Sequence, residues 1–365
     1  MILYTITVQG NLVKVALITD THFGARNDNM NFNEYFYQFY EGVFFPYLQQ
    51  HNIKHCIHLG DVLDRRKYIS YRIAKDFRER FIQPFNHMKI QLHMLVGNHD
   101  IYFRNTNDVN SLDELLGHRY NNIHVYAEAQ EVNFDGLPIL LMPWINPQNE
   151  IYAFGMMGET KADIMMGHLD ISGFEMHVGQ MSEGMYSKDK FRGFDTVMSG
   201  HFHHKSDDGQ IYYLGTPYQL TWNDYNDPKG FHVFDTETRQ LERITNPHTI
   251  FSKIHYDDTQ EDYDNHDVKK YRNKYVKLIV VNKKDLYKFD KFTDRLLKAD
   301  CHEVKIVEDF SDLDANTVSD DIVKNTEDTM TLLGKYIDEL EVDLDKKRLK
   351  DTVSLLYHEA QDLEL

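Results

Sequence analysis

The hydrophobic positions of this chain alternate between short strand-like runs and longer helical patterns. Strand-like runs at 13–18, 54–59 and 90–96 have the length of buried strands, and helical patterns separate them at 33–50 and 69–88. Alternation of strands and helices is typical of an α/β fold, in which helices cover a sheet. We therefore predict that the chain opens with an α/β domain.

An acidic segment divides the chain after six shorter strand-like runs. These runs are predicted at 131–134, 139–142, 163–166, 196–199, 211–214 and 231–234. Residues 257–267 are dense in carboxylates and hold almost nothing apolar, which is typical of a linker. The predicted organisation is a large α/β domain at 1–256, an acidic linker at 257–274, a small α/β domain at 275–323 and C-terminal helices at 324–365.

Composition excludes several classes of protein. The 365 residues are 41% hydrophobic, which is too apolar for a disordered chain. Apolar runs fall short of the roughly 18–20 residues of a membrane helix, and the first ten residues do not resemble a signal peptide. Two cysteines, Cys56 and Cys301, provide neither a disulfide framework nor a zinc cluster. We expect a reduced, soluble, cytoplasmic protein without a membrane span.

The charge balance and the histidine content point in different directions. Forty basic against 58 acidic residues give a net charge of −18, which argues against a free-standing, non-specific nucleic-acid binder. Twenty histidines point instead to metal chemistry. The placement of the histidines decides more than their number.

Five short polar motifs each follow a predicted strand. The carboxyl ends of strands converge on the ligand crevice of an α/β sheet, so residues far apart in sequence can meet there. Carboxylate and amide oxygens combined with imidazoles suit Mn, Fe or Zn better than Ca or Mg. The motifs are Asp20-Thr21-His22, Gly60-Asp61-Val62-Leu63-Asp64, Gly97-Asn98-His99-Asp100, Gly167-His168 and Gly200-His201-Phe202-His203.

Each motif alone is common, but the ordered set resembles the calcineurin-like metallophosphoesterase superfamily over residues 13–256. The resemblance implies a two-sheet metallophosphoesterase sandwich with helices outside, plus a small α/β capping domain and C-terminal helices. It also implies two divalent metal ions, Mn²⁺ or Mg²⁺, with Asp61 bridging them. One metal would be held by Asp20, His22, Asp61 and His203, and the other by Asp61, Asn98, His168 and His201.

The resemblance also implies two residues that act beside the metals. His99 would stabilise the developing charge or protonate the leaving oxygen. Asp64 stands where members of the superfamily often place the carboxylate that orients this histidine. Many cellular relatives have histidine where this chain has Asp64.

Within the superfamily the chain is most similar to DNA recombination and repair nucleases of the SbcD/Mre-eleven type, which include nuclease subunits of T-even phages. The segments that carry this closer resemblance are 134–136, 142–144, 214–220, 226–231 and 234–238. The resemblance implies 3′–5′ exonuclease action on duplex DNA and endonuclease action on single strands, usually with manganese. For a phage protein the location would be the host cytoplasm.

Other phosphoester substrates remain alternatives. The segment from Asp61 to Arg65 resembles a protein-phosphatase pattern, although Arg66 and Val96 stand where those enzymes carry glycine and arginine. A phosphodiesterase acting on a cyclic nucleotide is a further alternative. A non-catalytic scaffold is disfavoured because every metal ligand of the family is present.

Basic residues beside the motifs favour a DNA substrate. Arg65, Arg66 and Lys67 directly follow the second motif, and Arg104 follows the third. They would contact the phosphate backbone, which positions DNA without reading its sequence; the alternative is a solvated loop. His177 lies in a predicted loop at 174–184 that could line the DNA path.

Two further patterns bear on assembly. The residues Ile73, Phe77, Phe81 and Phe85 form one apolar stripe of a helix. Family relatives dimerise through the helices predicted at 69–88 and 110–118, so we expect a homodimer; the alternative is that the stripe only packs on the sheet.

A C-terminal helix predicted at 345–363 is amphipathic. Resemblance to the family implies that the C-terminal helices bind the coiled coils of an SMC-like ATPase subunit. The alternative is an intramolecular pair with the helix predicted at 326–340. The partner would then add the basic DNA-binding surface that this acidic chain lacks.

Overall fold

The computed structural model describes residues 6–8, 14–117, 119–134, 136–177, 179–308, 346 and 350. By its internal contacts the chain forms two compact units, one of residues 1–278 and 282–306 and one of residues 279–281 and 307–365. The predicted C-terminal helices at 324–365 lie almost wholly outside the described residues, and the domain boundaries remain a prediction.

The elements of the described residues follow the alternation predicted from the sequence. The strands are β1 Ile6–Val8, β2 Lys14–Ile18, β3 His55–His58, β4 Gln91–Leu95, β5 Ile123–Tyr126, β6 Gln130–Phe134, β7 Leu137–Met142, β8 Ile164–His168, β9 Glu175–His177, β10 Gln180–Met181, β11 Thr196–Gly200, β12 Ser206–Asp207, β13 Ile211–Tyr213, β14 Gly230–Asp235, β15 Leu241–Thr245, β16 Phe251–Asp257, β17 Tyr275–Asn282 and β18 Glu303–Glu308. The helical segments are α1 Ala25–Asp28, α2 Met30–Phe39, α3 Phe45–Gln50, α4 Tyr71–Asp76, α5 Gln83–Met88, α6 Ser111–Leu116, α7 Glu150–Glu159 and α8 Leu286–Leu297. The segment α1 is a left-handed turn rather than an α-helix, since φ is positive at Arg26, Asn27 and Asp28. Short π-helical segments at Tyr40–Phe44 and Phe77–Ile82 join α2 to α3 and α4 to α5.

Two large sheets form the predicted sandwich. One has the strand order β1-β6-β7-β8-β11-β13-β12 and the other β15-β14-β2-β3-β4-β5. Their facing sides share one apolar core, in which Leu17 and Ile57 from the second sheet join Leu141 and Met166 from the first. In both sheets the strands that carry the motifs run parallel: β2 with β3 and β4, and β8 with β11. The expected fold class is confirmed.

Helices α2 to α5 cover the outer face of the second sheet, because packing there removes their aromatic side chains from water. The predicted stripe of Ile73, Phe77, Phe81 and Phe85 is at most 2% exposed and packs in the cluster that contains the outer face of β2, β3 and β4. The stripe therefore packs on the sheet, which was the alternative to a dimer contact. These four side chains offer no surface to a second copy of the chain.

A smaller sheet with the order β16-β17-β18 follows the sandwich. The acidic segment that precedes β17 packs beside α8: Tyr263 is 4% exposed, with its ring 5.0 Å from that of Phe292, and Asp264 pairs with Lys291 at 2.9 Å. Among the described residues, none of the helices has the length and apolar character that crossing a bilayer requires.

Candidate metal centre

The predicted ligands lie at the carboxyl ends of five strands, three in one sheet and two in the other. Asp20 and His22 follow β2, Asp61 follows β3, and Asn98 follows β4. In the other sheet, β8 ends at its ligand histidine and β11 leads into the Gly200–His203 motif. The sandwich therefore brings together segments that are up to 183 positions apart in the sequence. They meet because the strands that precede them end at the same edge of the two sheets.

The backbone turns sharply at these strand ends. Four of the predicted ligands have a positive φ: Asp20 at 51°, His22 at 43°, Asp61 at 53° and His201 at 86°. L-residues other than glycine seldom adopt this region, and such conformations cluster at functional sites, where the surrounding structure holds them. Here the strand ends are tied together, since the amide of Asp20 donates to the carbonyl oxygen of Gly60 at 3.0 Å.

The first group of ligand atoms consists of Asp20, His22 and His203, all within 4.8 Å of one another. The two imidazole Nε2 atoms are 3.1 Å apart. The carboxylate of Asp20 is fixed from both sides, because the hydroxyl of Thr19 donates to it at 2.7 Å and the amide of His201 donates to it at 3.0 Å. These are the residues expected around the first metal.

The second group consists of Asp61, His168 and His201, and Asn98 completes it. The Oδ1 atom of Asn98 lies 2.9 Å from Nε2 of His168 and 3.0 Å from Nδ1 of His201. The Nδ1 atom of His168 donates to the carbonyl oxygen of Leu59 at 2.7 Å. That hydrogen bond leaves Nε2 as the atom of His168 that would bind a metal, in the manner of metal-binding histidines.

Asp61 lies between the two groups. Its carboxylate is 3.3 Å from Nε2 of His168 and 3.9 Å from Nε2 of His22. A third group of candidate ligand atoms joins Asp61 to His22 and His99. This position is the one expected of a carboxylate that bridges two metals.

The charges of the site suit divalent cations. Burial and the neighbouring Asp61 raise the pKa of Asp20 to about 6. Burial opposes a charge on His22 and His168, but the surrounding carboxylates outweigh it and raise both pKa values to about 9. The buried carboxylates thus favour protonated, positively charged histidines beside them. Bound metal ions would supply the positive charge instead, and the histidines would release their protons. The residues present fit a two-metal centre.

The structure corrects the expected role of the Asp64 carboxylate. Nδ1 of His99 is 2.6 Å from the backbone carbonyl oxygen of Asp64, and the carboxylate of Asp64 lies 3.4 Å from Nδ1 of His22 instead. A carbonyl can only accept, so Nδ1 of His99 carries the proton and Nε2 is the atom that can exchange one. Asp64 therefore orients His99 through its main chain and contacts His22, a predicted metal ligand, through its side chain.

Asp100, for which the sequence predicted no role, joins two of the motif loops. Its buried carboxylate accepts hydrogen bonds from the amides of Val62, Leu63 and Gly97 at 2.9–3.2 Å. Burial and the charge of Asp61 raise its pKa to about 7 despite these bonds. The signal was its place at the end of the Gly97–Asp100 motif, directly after two functional positions.

Buried His58 and Lys229 also support the site, although the sequence predicted no role there for either residue. Nδ1 of His58 accepts from the amide of Gly60 at 3.2 Å, and Nε2 lies 3.0 Å from the Thr21 hydroxyl; burial lowers the pKa of His58 to about 3. Lys229 donates to the carbonyl oxygen of His203 at 2.8 Å and pairs with two buried aspartates. Both residues hold the backbone of ligand-bearing loops, a role that sequence spacing does not reveal.

The predicted DNA contacts lie on loops beside the centre. Arg65 pairs with Asp28 at 3.3 Å, and Arg66 donates from Nε to the carbonyl oxygen of Asn98 at 2.9 Å. Lys67 and Arg104 are exposed. The side chain of His177 lies outside the described residues, so the structure does not place it.

Comparison with known proteins identifies a family and several relatives. The Calcineurin-like phosphoesterase family matches residues 13–205. The chain is 33% identical over 318 residues to Exonuclease subunit 1 of Enterobacteria phage T4, covering 86% of this chain and 90% of that protein. It is 29% identical over 184 residues to the SbcD subunit of the nuclease SbcCD from Staphylococcus epidermidis, covering 42% and 48%. A dimetal phosphatase from Danio rerio aligns with a TM-score of 0.42 and 10% identity, covering 64% of this chain and 96% of that one. The resemblance found in the motifs is confirmed, and this chain belongs to the calcineurin-like phosphoesterase family.

Proposed function

We propose that this protein is the nuclease subunit of a DNA recombination or repair complex and cleaves phosphodiester bonds with two divalent metal ions, Mn²⁺ foremost. Its reactions would be 3′–5′ digestion of duplex DNA and endonucleolytic cleavage of single strands. The observation that carries the proposal is the convergence of candidate ligand atoms from five motifs around Asp61. The names of the two relatives, an exonuclease subunit and a nuclease subunit, support DNA as the substrate.

The chemistry is divided between metals and protein. Two bound divalent metals can stabilise both the attacking and the leaving oxygen of an in-line displacement at phosphorus. The protein holds their ligands on backbone turns that are already formed, so little reorganisation is needed during the reaction. His99, held by its Nδ1 hydrogen bond to Asp64, presents Nε2 to the centre, where it would stabilise the developing charge or protonate the leaving oxygen.

A phosphoprotein or a cyclic nucleotide is the alternative substrate. At the position where phosphatases of this pattern carry arginine, Val96 is fully buried in the core between sheet and helices. The site therefore has no cation there to hold a phosphomonoester. Cations lie instead after the second motif, where Arg66 is anchored to the Asn98 carbonyl and Lys67 faces solvent.

Parallel assays on three substrates test the proposal. End-labelled linear duplex DNA, a phosphopeptide and a cyclic nucleotide would each be incubated with the protein and Mn²⁺, and with the Asp61→Asn variant as the control. We expect shortening of the duplex from its 3′ ends, abolished by Asp61→Asn. Efficient release of phosphate from the phosphopeptide with no shortening of DNA would contradict the proposal.

A partner ATPase is the second part of the proposal. Both relatives are named as subunits, which supports assembly with another chain. We propose that residues 324–365 bind an SMC-like ATPase. Deletion of the residues after Glu341 should preserve Mn²⁺-dependent cleavage of short DNA and abolish capture by the ATPase. Loss of the basal cleavage, or capture at the level of the full chain, would contradict this assignment.

A homodimer is also proposed, through the surface next to the second and third motifs rather than through the buried stripe. Tyr71, at the start of α4, is 96% exposed and belongs to that surface. Light scattering at tens of micromolar should give twice the 43.2 kDa mass of the chain. A monomeric mass at that concentration would contradict the dimer.

A further inference from the structure

Two large aromatic side chains stand in solvent directly after the Gly97–Asp100 motif. Tyr102 is 41% exposed and Phe103 is 50% exposed, and their rings pack edge to face with centroids 4.7 Å apart. The metal centre does not use either of them. Phenylalanine is usually buried, so an exposed pair beside a site is a candidate contact for a ligand.

The loop that carries the pair is well anchored. The amide of Tyr102 donates to the carbonyl oxygen of Val109 at 2.9 Å, which closes the base of the loop, and Ile101 is fully buried beneath it. The side-chain amide of Asn107 donates to the carbonyl oxygen of Trp144 at 3.0 Å. Since hydrogen bonds hold the main chain of this loop on both sides, binding at the two rings requires little ordering of the backbone.

The pair lies within a few nucleotides of the metal centre. Phe103 is four residues beyond His99, so their Cα atoms are at most ~14 Å apart. That distance spans about four base-pair steps of ~3.4 Å. The ring of Trp144, whose carbonyl anchors the loop, is 5.1 Å from the ring of His201. A DNA strand with a phosphate at the metals would therefore pass within reach of the exposed rings.

The charges nearby match a nucleic acid rather than an apolar protein surface. Arg104 follows Phe103 directly and is exposed, and Lys67 is exposed on the adjacent loop. The guanidinium of Arg65 lies over the ring of Tyr68 at 4.8 Å, and Tyr68 is itself 52% exposed. Aromatic faces interleaved with cations are the pattern by which proteins bind single-stranded nucleic acid without sequence preference.

We propose that Tyr102 and Phe103 form a stacking platform for unpaired bases at the DNA end that enters the metal centre. The inference rests on the proposed nuclease function and adds a substrate preference: frayed or single-stranded ends bind better than fully paired ends. Every base offers a π-face, so the preference concerns pairing and not sequence. Loss of one stacked base is expected to weaken binding by about tenfold.

The test compares substrates and variants. Phe103→Leu and the double variant Tyr102→Leu/Phe103→Leu keep apolar side chains but remove the rings. Tyr287→Leu, an exposed tyrosine of α8 that is 78% exposed, is the matched control. Each protein would be assayed with Mn²⁺ on a duplex with three mismatched terminal pairs, on the fully paired duplex, and on bis(p-nitrophenyl) phosphate.

The expected result is a fall of about tenfold in kcat/KM for the frayed duplex relative to bis(p-nitrophenyl) phosphate in Phe103→Leu, with no fall in Tyr287→Leu. An equal ratio in all the proteins would overturn the platform. A second measurement uses fluorescence of 2-aminopurine at the 3′ end of a single strand in Ca²⁺. Quenching by the wild type that is lost in the double variant supports stacking, and unchanged quenching overturns it.

Two outcomes separate this inference from neighbouring ones. A wild-type protein that hydrolyses bis(p-nitrophenyl) phosphate but no DNA refutes the proposed function, while the 2-aminopurine measurement still decides the platform. A shift from dimer to monomer in the double variant, seen by light scattering without loss of 2-aminopurine quenching, overturns the platform and assigns the pair to the contact between copies.

Discussion

Replacement of His99 by asparagine separates two roles that the structure permits for this residue. The backbone amide of His99 donates to Asp61 at 2.8 Å, and its Nδ1 donates to the Asp64 carbonyl at 2.6 Å. An asparagine side-chain nitrogen has a reach similar to that of Nδ1, so His99→Asn retains both hydrogen bonds and deletes only the part of the ring that carries Nε2. The variant therefore tests Nε2 with little disturbance of the Asp61 carboxylate.

The expected loss follows from the role of a proton donor or charge stabiliser. Such groups contribute about 10²- to 10⁴-fold to the rate, which corresponds to about 2.7–5.5 kcal/mol at ~1.36 kcal/mol for each factor of ten. The interaction exists only in the transition state, so kcat and kcat/KM should fall together and KM should stay near that of the wild type. His99 is partly buried beside His22, with ring centroids 4.8 Å apart.

The assay combines turnover with metal binding. Cleavage of linear duplex DNA gives kcat and KM, and calorimetric titration with Mn²⁺ gives the number of sites and their affinities. We expect wild-type Mn²⁺ binding with at least a hundredfold loss of kcat. Cleavage at the wild-type rate would refute the assigned role. A parallel loss of one Mn²⁺ site would show that His99 is a ligand, as its grouping with His22 and Asp61 permits.

Three further perturbations have defined outcomes. Gly60→Ala places a Cβ 2.6 Å from Nδ1 of His168 at a φ of +99°, so the midpoint of urea unfolding should fall by the equivalent of about 1–3 kcal/mol; an unchanged midpoint contradicts the tight packing. Lys229→Met removes the cation that pairs with the buried carboxylates of Asp224 and Asp227 and should cost about 3–5 kcal/mol of unfolding free energy, together with weaker Mn²⁺ binding. Burial lowers the pKa of His93 well below 6.5, so the folded state takes up fewer protons than the unfolded chain and stability falls as the pH drops below 6.5. His93→Phe should therefore lose less unfolding free energy between pH 7 and pH 5 than the wild type, and equal losses would contradict the assignment.

Much of the fold was predictable because its signals are local. The runs at 13–18, 54–59 and 90–96 correspond to β2, β3 and β4. Each of these strands ends two or three residues before a predicted metal ligand. Short apolar runs that stop at glycine or aspartate leave few alternatives to a buried strand. The helical stripe from Ile73 to Phe85 was equally clear, but periodicity alone does not say which surface a stripe meets, and the structure places it on the sheet.

The supporting contacts of the site were not predictable for a physical reason. The motifs are enough to predict the metal ligands. The hydrogen-bond partners of His99 and His203, however, depend on the directions of main-chain carbonyl groups in the loops. Thus the backbone carbonyl oxygen of Asp64, rather than its carboxylate, accepts the hydrogen bond from Nδ1 of His99. Likewise Lys229 reaches the His203 carbonyl from 26 positions away. Contacts of this kind follow from three-dimensional packing and have no characteristic residue spacing by which the sequence could reveal them.

The most direct test of the central claim is the position of metal ions in crystals grown with Mn²⁺ and measured for anomalous scattering. We expect two peaks about 3.5–4 Å apart. Asp61 should contact both peaks, with Asp20, His22 and His203 around one and the side chains of Asn98, His168 and His201 around the other. A single peak, or two peaks without Asp61 between them, would contradict the two-metal centre.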